Sequence, residues 1–528
     1  MKAKSSKSLI KLSVVLSILL LSNACEVHSG KAKSDLYEID AVELYEATDE
    51  EVVLEHNTEE YDRIYENDFK NAIQNPLSTF SIDVDNASYS NVRRFLSNNQ
   101  LPLKDAVRVE EMINYFNYDY PQPKDEHPFS FSNEVADCPW NTEHKLVHIG
   151  LQGKSLNYDD LKPSNLVFLI DASGSMSDNN KLPLLKKALK LLINELNDND
   201  RIAIVAYAGS AGVVLPSTKV SNKEEIIEAL DRIESGGSTA GGQGIQLAYK
   251  IAKENLFKDG NNRVILATDG DFNVGVSSSS ELVRLIEEKR KEDIFLTICG
   301  FGMGNYKDGR MEQISNAGNG NYFYIDNIKE AKKVFSTEMR ANMFTIAKDV
   351  KIQIEFNPNR VKAYRLIGYE NRVMNNEDFN DDKKDAGELG AGHTVTALYE
   401  VVPVNSDESV KKHDNLKYQR TEIVNASEND EMLTIKFRYK KPKEDKSLLI
   451  TKTIIDSGLK LESTSDNFRF SSAVAGLGLL LRDSKYKGDM TYELAKKLAV
   501  GSKGKDANGY RSEFVSMIET AELLSEKL

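Results

Sequence analysis

Residues 166–176 read LVFLIDASGSM, an apolar run that ends in a short segment of aspartate, serine and glycine. Five consecutive apolar residues predict a strand buried on both faces, which is typical of a central strand in a parallel sheet. The oxygen side chains of Asp171, Ser173 and Ser175 follow at alternate positions. A tight loop can bring such oxygens to one point, and hard divalent cations prefer oxygen ligands. The stretch therefore predicts a cation site at the end of a parallel strand.

Strand and helix patterns alternate on both sides of this run. Apolar runs predict strands at Leu166–Ile170, Ile202–Tyr207, Val264–Ala267 and Ile294–Ile298, and amphipathic patterns predict helices at Leu182–Leu196, Glu224–Ile233, Gly244–Asn255 and Ser280–Glu292. This alternation predicts an α/β fold: a doubly wound, mainly parallel sheet with helices on both faces. Such sheets bind ligands at the carboxyl ends of their strands.

Two further oxygen clusters fall at the same edge of the predicted sheet. Gly236-Gly237-Ser238-Thr239 lies just before the predicted helix that starts at residue 244, and Thr268-Asp269-Gly270 follows the strand that ends at residue 267. Because the carboxyl ends of parallel strands share one edge, all three loops are expected to meet at one crevice.

These loops resemble the von Willebrand factor type A (VWA) domain and its metal-ion-dependent adhesion site. The family pattern is Asp-x-Ser-x-Ser on one loop, a threonine on a second and an aspartate on a third. Five residues fill these places: Asp171, Ser173, Ser175, Thr239 and Asp269. The resemblance implies that both serines bind metal directly, Thr239 directly or through water, and the aspartates mainly through bridging waters.

The resemblance also implies the ion and the kind of partner. Mostly neutral direct ligands leave the ion much of its charge, and coordination by oxygens and waters suits Mg²⁺, with Mn²⁺ or Ca²⁺ as alternatives. An open coordination position would accept an Asp or Glu side chain of a protein partner. The alternative is a degenerate site retained as structure, because aspartate–serine loops also cap helices.

The regions that flank the α/β unit predict strands and then helices. Seven strand-like segments are expected to form one β-sandwich into which the α/β domain is inserted: Phe129–Ala136, Leu146–Leu151, Val350–Ile354, Val361–Ile367, Thr394–Val402, Leu433–Tyr439 and Ser447–Thr453. Residues 468–528 return to helical patterns. Short stretches resemble a bacterial subgroup, the YfbK-like proteins: Asp83-Val84-Asp85 and Asn114-Tyr115-Phe116 in the N-terminal extension, and Leu366–Arg372 and Asp385–Glu388 in the C-terminal region.

The N-terminus has the pattern of a bacterial lipoprotein signal. Four lysines and no acidic residue precede an apolar run at residues 12–21, which is too short for a stable membrane span. Small residues then lead to Cys25. We therefore expect Cys25 to be lipidated; an ordinary signal peptide is the alternative. Residues 35–68 hold fourteen acidic residues and one basic residue, which suits an extended tether.

The expected organisation follows from these patterns. The chain would comprise a signal peptide at 1–24, an acidic tether at 25–68, an N-terminal extension at 69–145, the VWA domain at 146–345 and a C-terminal region at 346–528, which is β-rich over 346–455 and helical over 468–528. It would be anchored in a bacterial cell envelope by its lipid.

Several function classes are disfavoured. The formal charge of −14 and the absence of a basic patch argue against nucleic-acid binding. There is no phosphate-loop, nucleophile-elbow or zinc-protease motif, and His393 is a lone histidine in a glycine-rich turn, so no enzyme is expected. Asp83 and Asp85 fail as a calcium loop, because Arg94 stands where a glutamate is needed. We expect metal-dependent protein binding or adhesion; the alternative is an envelope component whose metal only stabilises the fold.

Overall fold

A computed structural model describes residues 59–82, 85–157, 161–237, 241–270, 279–304, 306–412, 414, 417–418 and 430–526. The strands in chain order are β1 (Lys70–Asn71), β2 (Leu77–Ser81), β3 (Phe129–Cys138), β4 (Asn141–Gly153), β5 (Ser164–Asp171), β6 (Arg201–Ala208), β7 (Ser210–Lys219), β8 (Asn261–Thr268), β9 (Phe295–Phe301), β10 (Tyr322–Ile325), β11 (Thr345–Phe356), β12 (Val361–Ile367), β13 (Gly387–Gly390), β14 (Thr394–Pro403), β15 (Glu431–Lys440) and β16 (Leu448–Ile455). The helices are α1 (Ala87–Ser97), α2 (Val109–Asn114), α3 (Leu182–Glu195), α4 (Lys223–Asp231), α5 (Gly241–Glu254), α6 (Ser279–Arg290), α7 (Asp308–Ala317), α8 (Ile328–Lys332), α9 (Met339–Met343), α10 (Asp466–Arg482), α11 (Tyr492–Gly501) and α12 (Tyr510–Ser525).

A six-stranded sheet forms the α/β domain, with the order β10-β9-β8-β5-β6-β7. All neighbouring pairs are parallel except β6 and β7, which are antiparallel. Strand β5 is buried along its whole length, and its side chains alternate between two cores. Phe168 packs in the core that contains α3 and α4, and Leu169 in the core that contains α5. This confirms the predicted doubly wound fold with helices on both faces.

Two strands of this sheet were not predicted. Strand β7 is a mostly exposed edge strand that contains Pro216, and proline in a strand pattern argues against a strand unless it lies at an edge. Strand β10 has four residues, which is too short for an alternation to be recognised. Helices α7, α8 and α9 were also missed. Strand β7 lies at the side of the sheet and does not change the carboxyl ends of the parallel strands, where the candidate site lies.

The flanking strands form two facing sheets. One has the order β1-β12-β14-β4-β3, and the other has the order β13-β11-β15-β16 with β2 also paired to β11. Apolar side chains of both sheets share one core, in which the ring of Phe129 lies 5.0 Å from that of Tyr439. Because β3 and β4 precede the α/β domain and β11–β16 follow it, the predicted sandwich with an inserted domain is present.

A helical layer covers one side of the sandwich. Helices α1, α2, α10, α11 and α12 contribute to one apolar core together with the fully buried Trp140. The free thiol of Cys138 is buried in this core, and that of Cys299 is buried in the α/β domain. Among the described residues, no helix combines the length and the apolar character that a membrane span requires.

Buried arginines join the N-terminal helices to the α/β domain. The Arg93 guanidinium contacts the carboxylates of Asp326 at 2.6 Å and Glu330 at 2.7 Å. Arg108, which precedes α2, contacts two carboxylates of α7: Asp308 at 2.7 Å and Glu312. Charge-assisted contacts of this kind favour one geometry, so these arginines connect the α/β domain to the helical layer in a defined orientation.

The structure describes two of the polar residues singled out in the sequence, Asp85 and His393. Asp85 accepts a hydrogen bond of 2.9 Å from the backbone N–H of Tyr322, whereas Asp83 lies outside the described residues. His393 is buried, and burial lowers its pKa to about 4, so the ring stays neutral near neutral pH.

Candidate metal centre

The first loop of the centre is fixed by the carboxylate of Asp171, the last residue of β5. Asp171 is fully buried, and its Oδ1 accepts a 2.9 Å hydrogen bond from the Ser173 N–H. Its Oδ2 accepts bonds of 3.1 Å from both the Tyr207 hydroxyl on β6 and the Thr268 hydroxyl on β8. Strands on both sides of β5 therefore hold this carboxylate in one orientation.

The two serines of this loop present their hydroxyls together. The Oγ atoms of Ser173 and Ser175 lie 3.0 Å apart, close enough to contact one ion. Ser173 is buried, whereas Ser175 is exposed on a single 3₁₀ turn over Gly174–Ser177. The side chain of Met176 is fully buried and anchors that turn to the core. The pair therefore opens towards solvent at the carboxyl end of β5.

Backbone hydrogen bonds bring the glycine-rich second loop against the first. Gly236 N–H donates to the carbonyl of Ala172 at 2.8 Å, and Gly174 N–H donates to the carbonyl of Gly237 at 3.1 Å. Gly237 has a φ of +81°, a conformation that favours glycine. Thr239 follows two residues later but lies outside the described residues, so its role stays a prediction.

The third loop brings a second buried carboxylate. Asp269 directly follows β8 and is fully buried. Its Oδ2 accepts a 3.2 Å hydrogen bond from the Lys181 ammonium, whereas Oδ1 has no hydrogen-bond partner within the described part of the chain. A buried carboxylate oxygen is normally satisfied by hydrogen bonds, by water or by an ion. The predicted residues Asp171, Ser173, Ser175 and Asp269 thus converge from separate loops.

Sequence reasoning missed Lys181, which lies at the start of α3. Its ammonium donates to the Ser175 carbonyl at 3.0 Å as well as to Asp269. Only 6% of the residue is exposed. Its position ten residues after Asp171 gave no signal, since a lysine before an amphipathic helix is usually solvated. Tyr207, which orients Asp171, was missed as well, because only strand pairing brings it there, whereas Thr268 was expected at this edge but was given no role.

A fourth loop, which follows β9, borders the centre. Gly302 has a φ of +76°, and a Cβ atom there would lie 2.3 Å from Cε of Lys181. The Gly304 N–H donates to Oε1 of Glu59 at 2.8 Å, and Arg94 holds the same carboxylate with two nitrogens at 2.8 Å each. The N-terminal segment that contains Glu59 therefore holds this rim loop in place.

The electrostatics of the centre suit a cation. Burial raises the pKa of the Asp171 carboxyl, hydrogen bonds from Ser173 and Tyr207 partly oppose this, and the charge of Asp269 adds to the rise. Two carboxylates share a water-poor site with one ammonium. Two hydroxyls and two carboxylates, one of which has an oxygen without a hydrogen bond among the described residues, form a donor set that fits a hard divalent cation.

Histidine, cysteine and carboxylate residues form no group of three or more suited to a metal within the described ranges. The candidate centre draws on hydroxyl ligands instead. A cavity of about 740 Å³ lies away from it, between the N-terminal segment and α7. Its walls carry both signs of charge, and Arg108 and Glu312 there already form an ion pair. The oxygen cluster at the sheet edge is therefore the better candidate site.

Comparisons with known families divide the chain into three parts. The von Willebrand factor type A domain family matches residues 165–337, a family described as von Willebrand factor matches residues 55–148, and one described as uncharacterized protein YfbK, C-terminal, matches residues 341–524. Uncharacterized protein YfbK of Escherichia coli K12 is 42% identical over 474 residues, which cover 88% of this chain and 81% of that protein.

Two more distant relatives match the chain in part or in fold. Uncharacterized protein YwmC of Bacillus subtilis 168 is 25% identical over 194 residues, covering 33% of this chain and 83% of that protein. The solved structure of a von Willebrand factor type A protein from Catenulispora acidiphila matches 75% of this chain and 91% of its own, with 17% identity and a TM-score of 0.41. VWA domains often hold a divalent metal ion and bind proteins through it. With a VWA domain and both flanking regions matched, the chain belongs to the YfbK-like family of VWA proteins.

Proposed function

We propose that this chain is a lipoprotein of a bacterial cell envelope that captures a protein partner through a Mg²⁺ ion in its VWA domain. Ser173, Ser175 and Thr239 would hold the ion, and Asp171 and Asp269 would orient its waters. The proposal is carried by two hydroxyls 3.0 Å apart on the first loop and by Oδ1 of Asp269 on the third, which has no hydrogen-bond partner among the described residues.

The residues of the site explain why a partner's carboxylate would be favoured. Bound Mg²⁺ would supply a positive centre with a coordination position open to an Asp or Glu oxygen. Asp171 is held in one orientation by hydrogen bonds from Tyr207 and Thr268, so a partner's carboxylate would not have to displace it. Ser175 lies on the exposed side of the site, where a partner surface has access. We propose no catalytic residue.

The sequence around Cys25 supports the anchoring part of the proposal. The lipid on Cys25 would hold the protein to the membrane, and the acidic tether would keep the folded body away from acidic headgroups by charge repulsion. The folded body would then present the site to partners within the envelope.

A pull-down from envelope extract tests the binding mechanism. Wild-type protein in Mg²⁺ should retain a partner that is lost with EDTA and with Asp171→Ala or Ser173→Ala. Asp198→Ala is the matched control, because Asp198 is exposed at the opposite end of the sheet, before β6. Equal retention in every sample would contradict metal-dependent capture. Thermal destabilisation by EDTA without loss of any partner would favour the alternative in which metal only stabilises the fold.

A further inference from the structure

Lys181 places a positive charge inside the candidate metal centre. Its ammonium lies 3.0 Å from the Ser175 carbonyl oxygen and 3.2 Å from Oδ2 of Asp269, and 3.6 Å from the exposed carboxylate of Asp178. Ser175 belongs to the first loop of the site, and Asp269 belongs to the third. The lysine therefore bridges the loops that would otherwise be bridged by a metal ion.

The fold directs this side chain inwards. Lys181 immediately precedes α3, whose first backbone bond runs from Leu185 N–H to the Lys181 carbonyl at 2.8 Å. Its aliphatic stem passes over Gly302, where a Cβ atom would lie 2.7 Å from Cγ of the lysine. Glycine at this position leaves room for the stem, and the residue is only 6% exposed. The lysine is thus packed in place and does not extend into solvent as surface lysines do.

The charge balance gives this placement a consequence. Asp171 and Asp269 repel one another in a site with little water, and the ammonium offsets part of that repulsion. A divalent cation that enters the site meets the same fixed positive charge at close range. In a buried site, the Coulomb repulsion between the ammonium and an entering cation is only weakly screened. The Lys181 ammonium therefore stabilises the metal-free site and lowers the affinity of the site for a metal ion.

We propose that Lys181 is an internal cation of this site: it ties Ser175 to Asp269 when no metal is bound and keeps metal binding weak enough to be reversible. This inference rests on the proposed metal-dependent function. It assigns Lys181 a positioning role and no catalytic role. It also predicts that the three loops stay assembled without metal, so that a metal ion enters a site that is already formed.

Calorimetric titration of the full-length chain with MgCl₂ and MnCl₂ tests the inference. Lys181→Met keeps the length and apolar stem and removes the charge, so the dissociation constant for either ion should fall at least about tenfold. Lys187→Met is the control, because Lys187 is exposed on the same helix, and it should leave the constant unchanged. Lys181→Gln, which keeps hydrogen-bond donors without charge, should behave as Lys181→Met does.

Thermal unfolding provides a second readout. In EDTA, Lys181→Met should melt at least about 2 °C below wild type, because the Asp171–Asp269 repulsion is no longer offset. Saturating Mg²⁺ should remove that difference. Equal metal affinity of wild type and both variants would overturn the inference and leave the proposed function standing. Metal binding by the variants alone would mean that Lys181 excludes the ion from the wild-type site, which would overturn both reversible binding and the proposed function, and binding by none of the proteins would also overturn both.

Discussion

The guanidinium of Arg93 lies 2.6 Å from the carboxylate of Asp326, with 5% and 9% of the two side chains exposed. Arg93 belongs to α1, and Asp326 directly follows the last strand of the α/β sheet. The same guanidinium contacts Glu330 of α8 and Glu513 of α12. One side chain thus joins three parts of the chain that are far apart in sequence.

Replacing Arg93 with methionine should strongly destabilise the protein. The change leaves the buried carboxylates of Asp326 and Glu330 without their cation, and breaking one partner of a buried pair typically costs about 3–5 kcal/mol. Urea unfolding monitored by circular dichroism measures the loss. Lys104→Met is the matched control: its pair with Asp483 is 64% and 59% exposed, so the free energy of unfolding should stay close to that of wild type. Similar losses in both variants would contradict the role of Arg93.

Replacing Asp171 with asparagine should separate stability from metal binding. The folded-state pKa of Asp171 is raised by burial, so its ionised form destabilises the fold above its unfolded-state pKa, and that cost is relieved as pH falls. Asparagine removes the charge at every pH. In EDTA at pH 7 the variant should therefore melt above wild type, and added Mg²⁺ should no longer raise its melting temperature. A Mg²⁺ response equal to that of wild type would exclude Asp171 from the site.

Replacing Gly320 with alanine should disrupt the α/β domain. An added Cβ atom would lie 1.5 Å from the carbonyl oxygen of Leu296, which belongs to the backbone of β9 and cannot rotate away. We expect a loss of about 3 kcal/mol or more, measured by thermal unfolding and soluble yield. Gly212→Ala is the control, because nothing lies within 4 Å of its added Cβ on the exposed edge strand. Its effect should stay within about 1 kcal/mol.

The buried His148 should make stability depend on pH. Burial lowers its pKa to about 4, whereas an unfolded histidine titrates near 6.5. Between those values the unfolded chain binds a proton that the native chain does not, so stability falls as pH drops from about 6.5 to 4. For this residue alone the loss at pH 5 is roughly 2 kcal/mol relative to pH 7.5.

Urea unfolding at the two pH values checks this prediction with His148→Leu. The leucine cannot titrate, so the variant should lose less stability than wild type on acidification, by roughly 2 kcal/mol. The Tyr120 hydroxyl loses its 3.0 Å contact with His148 but keeps a 2.8 Å hydrogen bond to Thr396. An unchanged pH dependence would show that His148 does not remain neutral in the folded state.

Replacing Cys25 with serine tests the anchor. The proposed lipidation needs the thiol, so the variant should lose incorporation of a labelled fatty acid and leave the membrane fraction. Cys138→Ser is the control for a general effect of cysteine loss, because that thiol is buried in the helical layer. Membrane association that persists without Cys25 would contradict lipid anchoring.

The central fold was predictable because its strands are continuous apolar runs. Strand β5 is buried throughout, so no polar face interrupts its pattern, and the helices around it have clear apolar stripes. Strand β7 was missed for the opposite reason: it is exposed and contains Pro216. Its place in the sheet comes from antiparallel pairing with β6, which local sequence does not encode.

The candidate site was predictable only where its residues follow strands. Asp171, Ser173, Ser175 and Asp269 were found because each lies at or just after a strand end, and the structure brings them together. Lys181 reaches the site across a loop and from the start of a helix. Its contact depends on the space left by Gly302, a tertiary feature with no local signature.

The contact between Glu59 and Gly304 has a mechanical consequence for an anchored protein. In the proposed anchored form, tension on the membrane tether would reach the folded body through the segment that contains Glu59. From there it would pass through the Glu59–Gly304 hydrogen bond to the rim loop that packs against Lys181. Arg94 holds the same carboxylate and would share that force with α1. Membrane tension and partner binding would thus both act on the loop that contains Gly302 and Gly304.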